Sequence, residues 1–229
     1  MKKAALTCLL GFLILSTVYP AYAAVTIKAT VGDNVFVTFD VENLDQPVYD
    51  QAVAQINAET IPKAIVSTLN LIDLKQVQYS FGSDPLVLNG DAKTIESSFF
   101  LSGSDVISFE MNRTSMKRSY EVNTSWRKFE LSLTSNFTLH FAERLDTAVS
   151  DWQKSNATTF FFESQRANEP DMTFYLYLPG SAQSIRVDGD TVFFEMPSSF
   201  GDLLLDSPFL ILAALAVALV VVLIYRRLR

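Results

Sequence analysis

The feature that most constrains this chain is a 19-residue stretch near its C-terminus, residues 207–225, that contains no charged side chain. As a helix it would rise about 1.5 Å per residue and reach roughly 28 Å, close to the ~30 Å hydrocarbon core of a bilayer. Arginines follow it at positions 226, 227 and 229, and the positive-inside rule then predicts a cytoplasmic C-terminus. We predict a transmembrane helix over 207–225 and a cytoplasmic tail over 226–229. A buried soluble helix is the alternative, which the apolar character of every face disfavours.

The other end of the chain has the three regions of a secretory signal peptide. Lys2 and Lys3 form a positive n-region, residues 6–18 form an apolar h-region, and Ala21-Tyr22-Ala23 supplies a small-x-small cleavage pattern. We predict a signal peptide over 1–23 that is cleaved after Ala23, with an uncleaved anchor as the alternative. Together the two ends predict a single-pass type I protein of the cell membrane with its N-terminal domain outside.

The charge of the remaining body excludes one large class of partners. Residues 24–206 hold 13 basic and 25 acidic residues, a net charge of −12, because the five basic residues of the two ends are matched by no acid. A body this acidic does not present the basic face with which proteins bind nucleic acid. Aromatic residues make up 12% of the chain, which argues against disorder. We predict one β-rich extracytoplasmic domain over 24–197 and a juxtamembrane segment over 198–206.

Alternating apolar and polar residues predict strands through most of this domain. Strands at 25–31 and 35–41 flank Gly32-Asp33-Asn34, and strands at 184–187 and 191–196 flank Asp188-Gly189-Asp190. Both intervening sequences are typical of hairpin turns, so two antiparallel hairpins are predicted. Further strands are predicted at 76–81, 95–101, 106–111, 117–123, 126–133, 136–141, 158–163 and 172–178.

Two segments have helical periodicity instead. One lies within 45–72, where Asp45 is a capping residue and Pro62 divides the segment. The other, residues 142–154, has Phe141, Leu145, Val149 and Trp152 on one face. The predicted fold class is therefore α+β: a predominantly antiparallel β ectodomain with two helical elements, plus one C-terminal transmembrane helix.

Runs of phenylalanine predict that some strands are apolar on both faces. They occur at 99–100, 160–162 and 193–194. A strand with two apolar faces lies between layers or at a contact surface. A sheet covered on both sides is the commoner explanation, and a ligand cavity or a partner surface is the alternative.

Four N-x-S/T sequons mark candidate N-glycosylation sites at Asn112, Asn123, Asn136 and Asn156. A glycan needs an extracytoplasmic acceptor, which the predicted export signal supplies. Ordinary polar turns are the alternative, because the motif is short. The only cysteine, Cys8, lies in the signal peptide, so the mature chain would have no disulfide. A cysteine-free glycoprotein behind a short lysine-bearing signal favours an archaeal-like surface protein as a hypothesis.

Residues with the spacing of a catalytic or metal site are missing from the sequence. His140 is the only histidine, and no Gly-x-Ser-x-Gly accompanies it. Three acidic turns, at 33–34, 89–91 and 188–190, carry the oxygen ligands that calcium uses but lack the spaced loop that ends in glutamate. No catalytic, cofactor-binding or metal-ligating residue is therefore assigned. A small basic cluster predicts cross-strand ion pairs, with an anionic partner as the alternative; its members are Arg113, Lys117, Arg118, Arg127 and Lys128.

These features favour an interaction or structural domain of the cell envelope over an enzyme. An accessory subunit of a membrane complex is one form of this hypothesis, and its partner would be a membrane or envelope protein. The alternative is a binder of a lipid or another apolar ligand, held in a cavity between the sheet and the 142–154 helix. A carboxylate-dependent hydrolase of envelope polymers is the third hypothesis.

Overall fold

The computed structural model describes residues 23–55, 74–83, 93–112, 114–134, 137–166, 169–198 and 208–227. Within these ranges the fold is mixed α+β, with mostly antiparallel sheets and few helices, which confirms that part of the predicted fold class. The predicted signal peptide up to residue 22, the segment around Pro62, the acidic turn at 89–91 and the sequon at Asn136 lie outside the described residues.

A seven-stranded sheet, called the large sheet below, forms the main layer. Its strand order is β3-β4-β2-β1-β11-β10-β9, and every neighbouring pair is antiparallel except β1 and β11. The hairpin predicted from Gly32-Asp33-Asn34 is confirmed, because Val31 pairs with Val35 across it. The strands are β1 (Ala24–Val31), β2 (Val35–Leu44), β3 (Leu74–Ser83), β4 (Lys93–Leu101), β9 (Gln153–Lys154), β10 (Thr159–Ser164) and β11 (Asp171–Tyr177).

A four-stranded antiparallel sheet, called the small sheet, has the order β12-β13-β6-β5. The hairpin predicted across Asp188-Gly189-Asp190 is confirmed, with Gly189 at φ +57°, where glycine is unstrained. A separate two-stranded pair replaces the predicted strand at 126–133, because residues 125–127 form a 3-10 turn first. The strands are β5 (Ile107–Asn112), β6 (Lys117–Asn123), β7 (Glu130–Thr134), β8 (Phe137–His140), β12 (Gln183–Asp188) and β13 (Thr191–Pro197).

One hydrophobic core joins the inner face of the large sheet to the small sheet and the segments between them. Every second residue of β1 and β2 is buried in it, including Ile27 and Phe39. Trp126, Phe141 and Phe194 come from elsewhere in the chain to pack there. Four helices complete the described part: α1 (Gln46–Gln55), α2 (Gly103–Val106), α3 (Phe141–Arg144) and α4 (Pro208–Arg227).

The predicted helix over 142–154 is wrong, because α3 ends at Arg144. The backbone N–H of Val149 donates to the carbonyl of Gly189 at 2.9 Å, so it is not available to a helical partner. The carbonyls of Leu145 and Thr147 accept instead from the Arg127 side chain, at 3.3 and 2.9 Å. These tertiary bonds satisfy the groups that a helix would pair with one another. The four apolar side chains of the predicted face are nevertheless all buried, so their spacing correctly indicated burial but not a helix.

The C-terminal helix α4 coincides with the uncharged segment and extends into the arginines that follow it. Its described apolar side chains are more than half exposed, among them Leu212, Val217 and Ile224. Counted over the residues that the structure describes, no helix combines the length and the apolar character that crossing a bilayer requires. The transmembrane assignment of 207–225 therefore stays a prediction.

Candidate functional site

The large sheet has two chemically different faces, which the strand register defines. The inner face lies in the core and carries Val25, Ile27, Phe39 and Phe99. The opposite face is called the outer face. Its described side chains include those of Thr26, Lys28, Thr30, Phe36, Thr38, Asp40, Glu42, Glu96, Ser98, Phe100, Thr159, Phe161, Glu163, Thr173, Tyr175 and Tyr177.

Five half-buried aromatic rings on the outer face form what we call the aromatic band: Phe36, Phe100, Phe161, Tyr175 and Tyr177. The rings of Phe36 and Phe100 lie 4.8 Å apart on adjacent strands. Tyr175 stacks on Tyr177 at 6.0 Å and on Phe161 at 6.1 Å. Rings of this size are the side chains that dominate protein interfaces when they lie outside a core.

A row of carboxylates crosses the same face two residues further along the strands. Asp40 pairs in register with Glu96 on one side and Thr26 on the other, and Glu163 follows beyond Thr173. Burial raises the pKa of Asp40, and the nearby charges of Glu96 and Glu42 raise it further, while Lys28 opposes the shift. A cationic group brought to this row would relieve that repulsion.

The phenylalanine runs predicted apolar side chains on both faces of their strands, and the geometry confirms this. Phe99 lies in the core and Phe100 lies in the aromatic band, while Phe160 and Phe161 divide in the same way. In the small sheet Phe194 is buried, and Phe193 lies 4.2 Å beneath the guanidinium of Arg186. Sequence reasoning missed the two tyrosines. The pairing of β10 with β11 places Tyr175 beside Phe161, and only the parallel pairing of β1 with β11 places both tyrosines on the sheet face of Phe36 and Phe100.

One member of the basic cluster, Arg127, lies in the interior. Arg127 is fully buried and donates to the carbonyls of Thr124 and Thr147, both at 2.9 Å, and to Asp190 Oδ1 at 2.7 Å. Its guanidinium lies 5.2 Å from the Trp152 ring centre, and burial lowers its pKa. Although burial would raise the pKa of Asp190, hydrogen bonds from Lys128 and Arg127 hold it below its usual range. We call Arg127 and the groups that it contacts the Arg127 centre.

The other basic side chains also have structural contacts. Lys117 pairs across strands with Glu195 at 2.8 Å, which confirms the predicted cross-strand pairing for this residue. Arg118 lies 5.1 Å over the ring of Phe109, and Arg113 lies outside the described residues. Arg144, outside the predicted cluster, is buried and donates to the carbonyls of Ser164 and Pro170, and burial lowers its pKa.

Three of the four sequon asparagines, Asn112, Asn123 and Asn156, are described, and all three are exposed at strand ends or turns. Their side-chain oxygens accept backbone N–H bonds from Thr114, Ser125 and Thr158 at 2.8–3.0 Å. The side-chain nitrogen, to which an N-glycan is attached, does not take part in these bonds. Glycosylation at these positions stays a prediction.

The acidic turns have structural roles where the structure describes them. Asn34 Oδ1 accepts the backbone N–H of Gly103 at 3.0 Å, and a side chain on Gly103 would collide with the carbonyl of Asp33. Asp190 belongs to the Arg127 centre. Within the described ranges no three His, Cys, Asp or Glu side chains group as metal ligands. His140 ends β8, opposite Glu130 in register.

Comparison with known proteins yields no relative. No protein-family model, no curated protein and no solved structure matches this chain. Its function is therefore inferred from the chemistry of its own residues, of which the outer face is the largest unexplained feature.

Proposed function

We propose that this chain is a membrane-anchored extracytoplasmic domain that binds a protein partner through the outer face of the large sheet. The observation that carries the proposal is the aromatic band with the carboxylate row beside it, on a face that takes no part in the core. An accessory subunit of a membrane complex has this organisation: a folded body, one anchor and one contact surface.

The proposed anchor rests on the C-terminal segment. Residues 207–225 contain no charge and three arginines follow within the last four residues. The apolar side chains described along α4 are exposed to more than half of their area, so they need a cover of lipid or of protein. Insertion into the membrane with the arginines inside satisfies both observations.

A basic protein partner fits the outer face best. Aromatic residues are enriched at the centres of protein interfaces, and charge complementarity directs association and excludes wrong partners. Among the outer-face side chains that the structure describes, the carboxylates of Asp40, Glu42, Glu96 and Glu163 outnumber the lysine Lys28. The partner surface is therefore expected to combine apolar side chains with lysine or arginine.

The lipid-binding alternative gains no support from the described residues. It required a helix over 142–154 against the sheet, and that helix ends at Arg144. The apolar face predicted for that helix, Phe141, Leu145, Val149 and Trp152, is part of the hydrophobic core.

The anchor and the contact surface are tested separately in native membranes. Alkaline carbonate should leave the full chain in the membrane and release a variant that lacks residues 207–229. Extraction of the full chain by carbonate would contradict the anchor.

For the surface, the full chain is purified in mild detergent beside a Phe161→Ser, Tyr175→Ser double variant and a Phe193→Ser control. Phe193 is a half-buried phenylalanine of the small sheet, so the control removes an aromatic ring away from the outer face. We expect the double variant to lose a partner that the wild type and the control retain, and we expect added salt to weaken the association. Equal recovery from the double variant and the wild type would contradict the proposed surface.

A further inference from the structure

The end of the small sheet carries an apolar surface that the core does not cover. Phe109 is 52% exposed and Met116 is 39% exposed, and Met111 and Met196 beside them are half-buried. We call these four residues the apolar tip. Phe109, Met111 and Met196 share one sheet face with Tyr120 and the buried Phe194, whose rings stack at 5.1 Å. The tip is therefore the exposed continuation of a face that is core at its other end.

Met116 is held at the tip in an unusual backbone conformation. Its φ is +56°, in the left-handed region that glycine and asparagine adopt most readily. Backbone strain of this kind persists where the surrounding structure fixes it, and it clusters at contact and switch sites. Here it sets an exposed apolar side chain in the turn between β5 and β6.

The chain leaves the body at this same point. The backbone N–H of Ser198 donates to the carbonyl of Met116 at 2.9 Å, and Ser198 Oγ lies 3.5 Å from the sulfur of Met111. Nine residues, 199–207, separate Ser198 from the start of α4. Even fully extended, that connection spans at most about 35 Å. With α4 in the membrane, the tip lies within this distance of the bilayer.

The charge around the tip suits a lipid surface. Arg118 lies on the same sheet face as Phe109, Met111 and Met196, within a body whose net charge is −12, whereas Lys117 lies on the opposite face and pairs with Glu195 at 2.8 Å. The Arg118 guanidinium lies 5.1 Å over the ring of Phe109, so a cation and an apolar ring share one position. Side chains of this kind place an apolar stem in lipid and a charged end among phosphates.

We propose that the apolar tip rests in the headgroup layer of the same membrane that anchors the chain, where anionic phospholipids contact Arg118. This inference depends on the proposed anchor and adds a second, orienting contact to it. Asn112 lies on the opposite face of its strand from Met111, so a glycan at that sequon would point away from this contact.

The test uses the full chain in vesicles of anionic and neutral phospholipid. The mature chain lacks cysteine, so Met116→Cys carries a single polarity-sensitive fluorophore, and Asn156→Cys in the turn before β10 is the control. Lipids brominated near the headgroup should quench the label at 116 several-fold more than the label at 156, with a blue-shifted emission. If Met116→Cys does not fold, Thr114→Cys in the same turn carries the label, because it too is exposed.

Each outcome assigns success or failure to one claim. Flotation of the chain with the vesicles tests the anchor by itself, and a chain that does not float contradicts the proposed function. A floating chain whose label at 116 behaves like the label at 156 overturns the tip contact alone. Blue-shifted emission with self-quenching but without bromine quenching would indicate contact between two copies of the chain, and would also overturn it.

Discussion

The two faces of the large sheet use similar residues for opposite purposes. On the inner face, aromatic and aliphatic side chains are fully buried, and the terminal nitrogens of the Arg127 guanidinium beside it donate to five protein oxygens. On the outer face, aromatic rings and carboxylates stay partly exposed, and the carboxylates repel one another. The difference shows that residue type alone does not distinguish core from contact surface. The strand register and the partners of each polar group make that distinction.

The largest effect is expected from breaking the Arg127 centre. Arg127→Met removes the donor to three carbonyl oxygens in the interior and one of the two cations that hold the Asp190 carboxylate. We expect a loss of about 3–5 kcal/mol in the free energy of unfolding, the usual result of removing one partner of a buried ion pair. Urea unfolding followed by tryptophan fluorescence measures it, since Trp152 lies beside the guanidinium.

Lys128→Met is the matched control for that prediction. Lys128 binds the same Asp190 at 2.8 Å but is partly exposed. Its loss should cost about 1 kcal/mol or less, as for other exposed ion pairs. Equal losses from the two variants would mean that the buried Arg127 contributes no more to stability than the partly exposed Lys128.

Two adjacent phenylalanines of β4 lie on opposite faces, so their substitution compares the two faces directly. Phe99→Ala empties a site in the core, where the side chain is 1% exposed, and should cost about 3–5 kcal/mol. Phe100→Ala removes a half-buried ring of the aromatic band and should cost about 1 kcal/mol. Only Phe100→Ala should weaken co-purification of the partner at a concentration where both variants are folded. If Phe100→Ala is as destabilising as Phe99→Ala, the outer face is core and not a contact surface.

Two aspartates should respond to pH with opposite signs. The pKa of Asp190 is lowered in the folded state, so its stabilisation is present above its unfolded pKa of about 4 and is lost as the pH falls through the folded value. The pKa of Asp40 is raised by burial, so its ionisation destabilises the fold at neutral pH, and acid relieves this as the pH falls through the raised value.

At pH 7 we therefore expect Asp190→Asn to lower the free energy of unfolding by about 1–3 kcal/mol. Asp40→Asn should leave it unchanged or raise it slightly while it weakens partner binding. Denaturation midpoints measured between pH 3 and pH 7 test both signs. A destabilising Asp40→Asn would show that the carboxylate row serves the fold.

The smallest effect is expected at the apolar tip. Met116→Asn replaces a strained methionine by a residue that accepts positive φ, and should raise the free energy of unfolding by up to about 1 kcal/mol. The same change should reduce bromolipid quenching of a label at Thr114. Thermal unfolding and quenching together test it, and a loss of both stability and quenching would mean that Met116 packs for the fold.

Local patterns predicted the strands well and the sheets only in part. Both hairpins were predictable, because Gly32-Asp33-Asn34 and Asp188-Gly189-Asp190 encode their turns within a few residues. The pairing of β1 with β11 was not predictable, because it joins segments about 150 residues apart and no turn signals it. The outer face depends on that pairing, so its aromatic band was not predicted as one surface.

The error at 142–154 has a different origin. The apolar spacing of Phe141, Leu145, Val149 and Trp152 correctly indicated burial. The helix fails because Arg127 and Gly189, distant in sequence, bond the backbone groups that it needs. A buried arginine that donates hydrogen bonds to several backbone carbonyls leaves no periodic signal in the sequence.

The most direct test of the proposed contact surface is site-specific photocrosslinking in native membranes. A photoreactive phenylalanine derivative replaces Tyr175 in the aromatic band or, as the control, Phe193 in the small sheet. Our account predicts that position 175 crosslinks to one membrane or envelope protein whose contact peptide is basic, and that position 193 does not. Crosslinking of that protein equally from both positions, or capture at 175 of a glycan or of no protein at all, would contradict it.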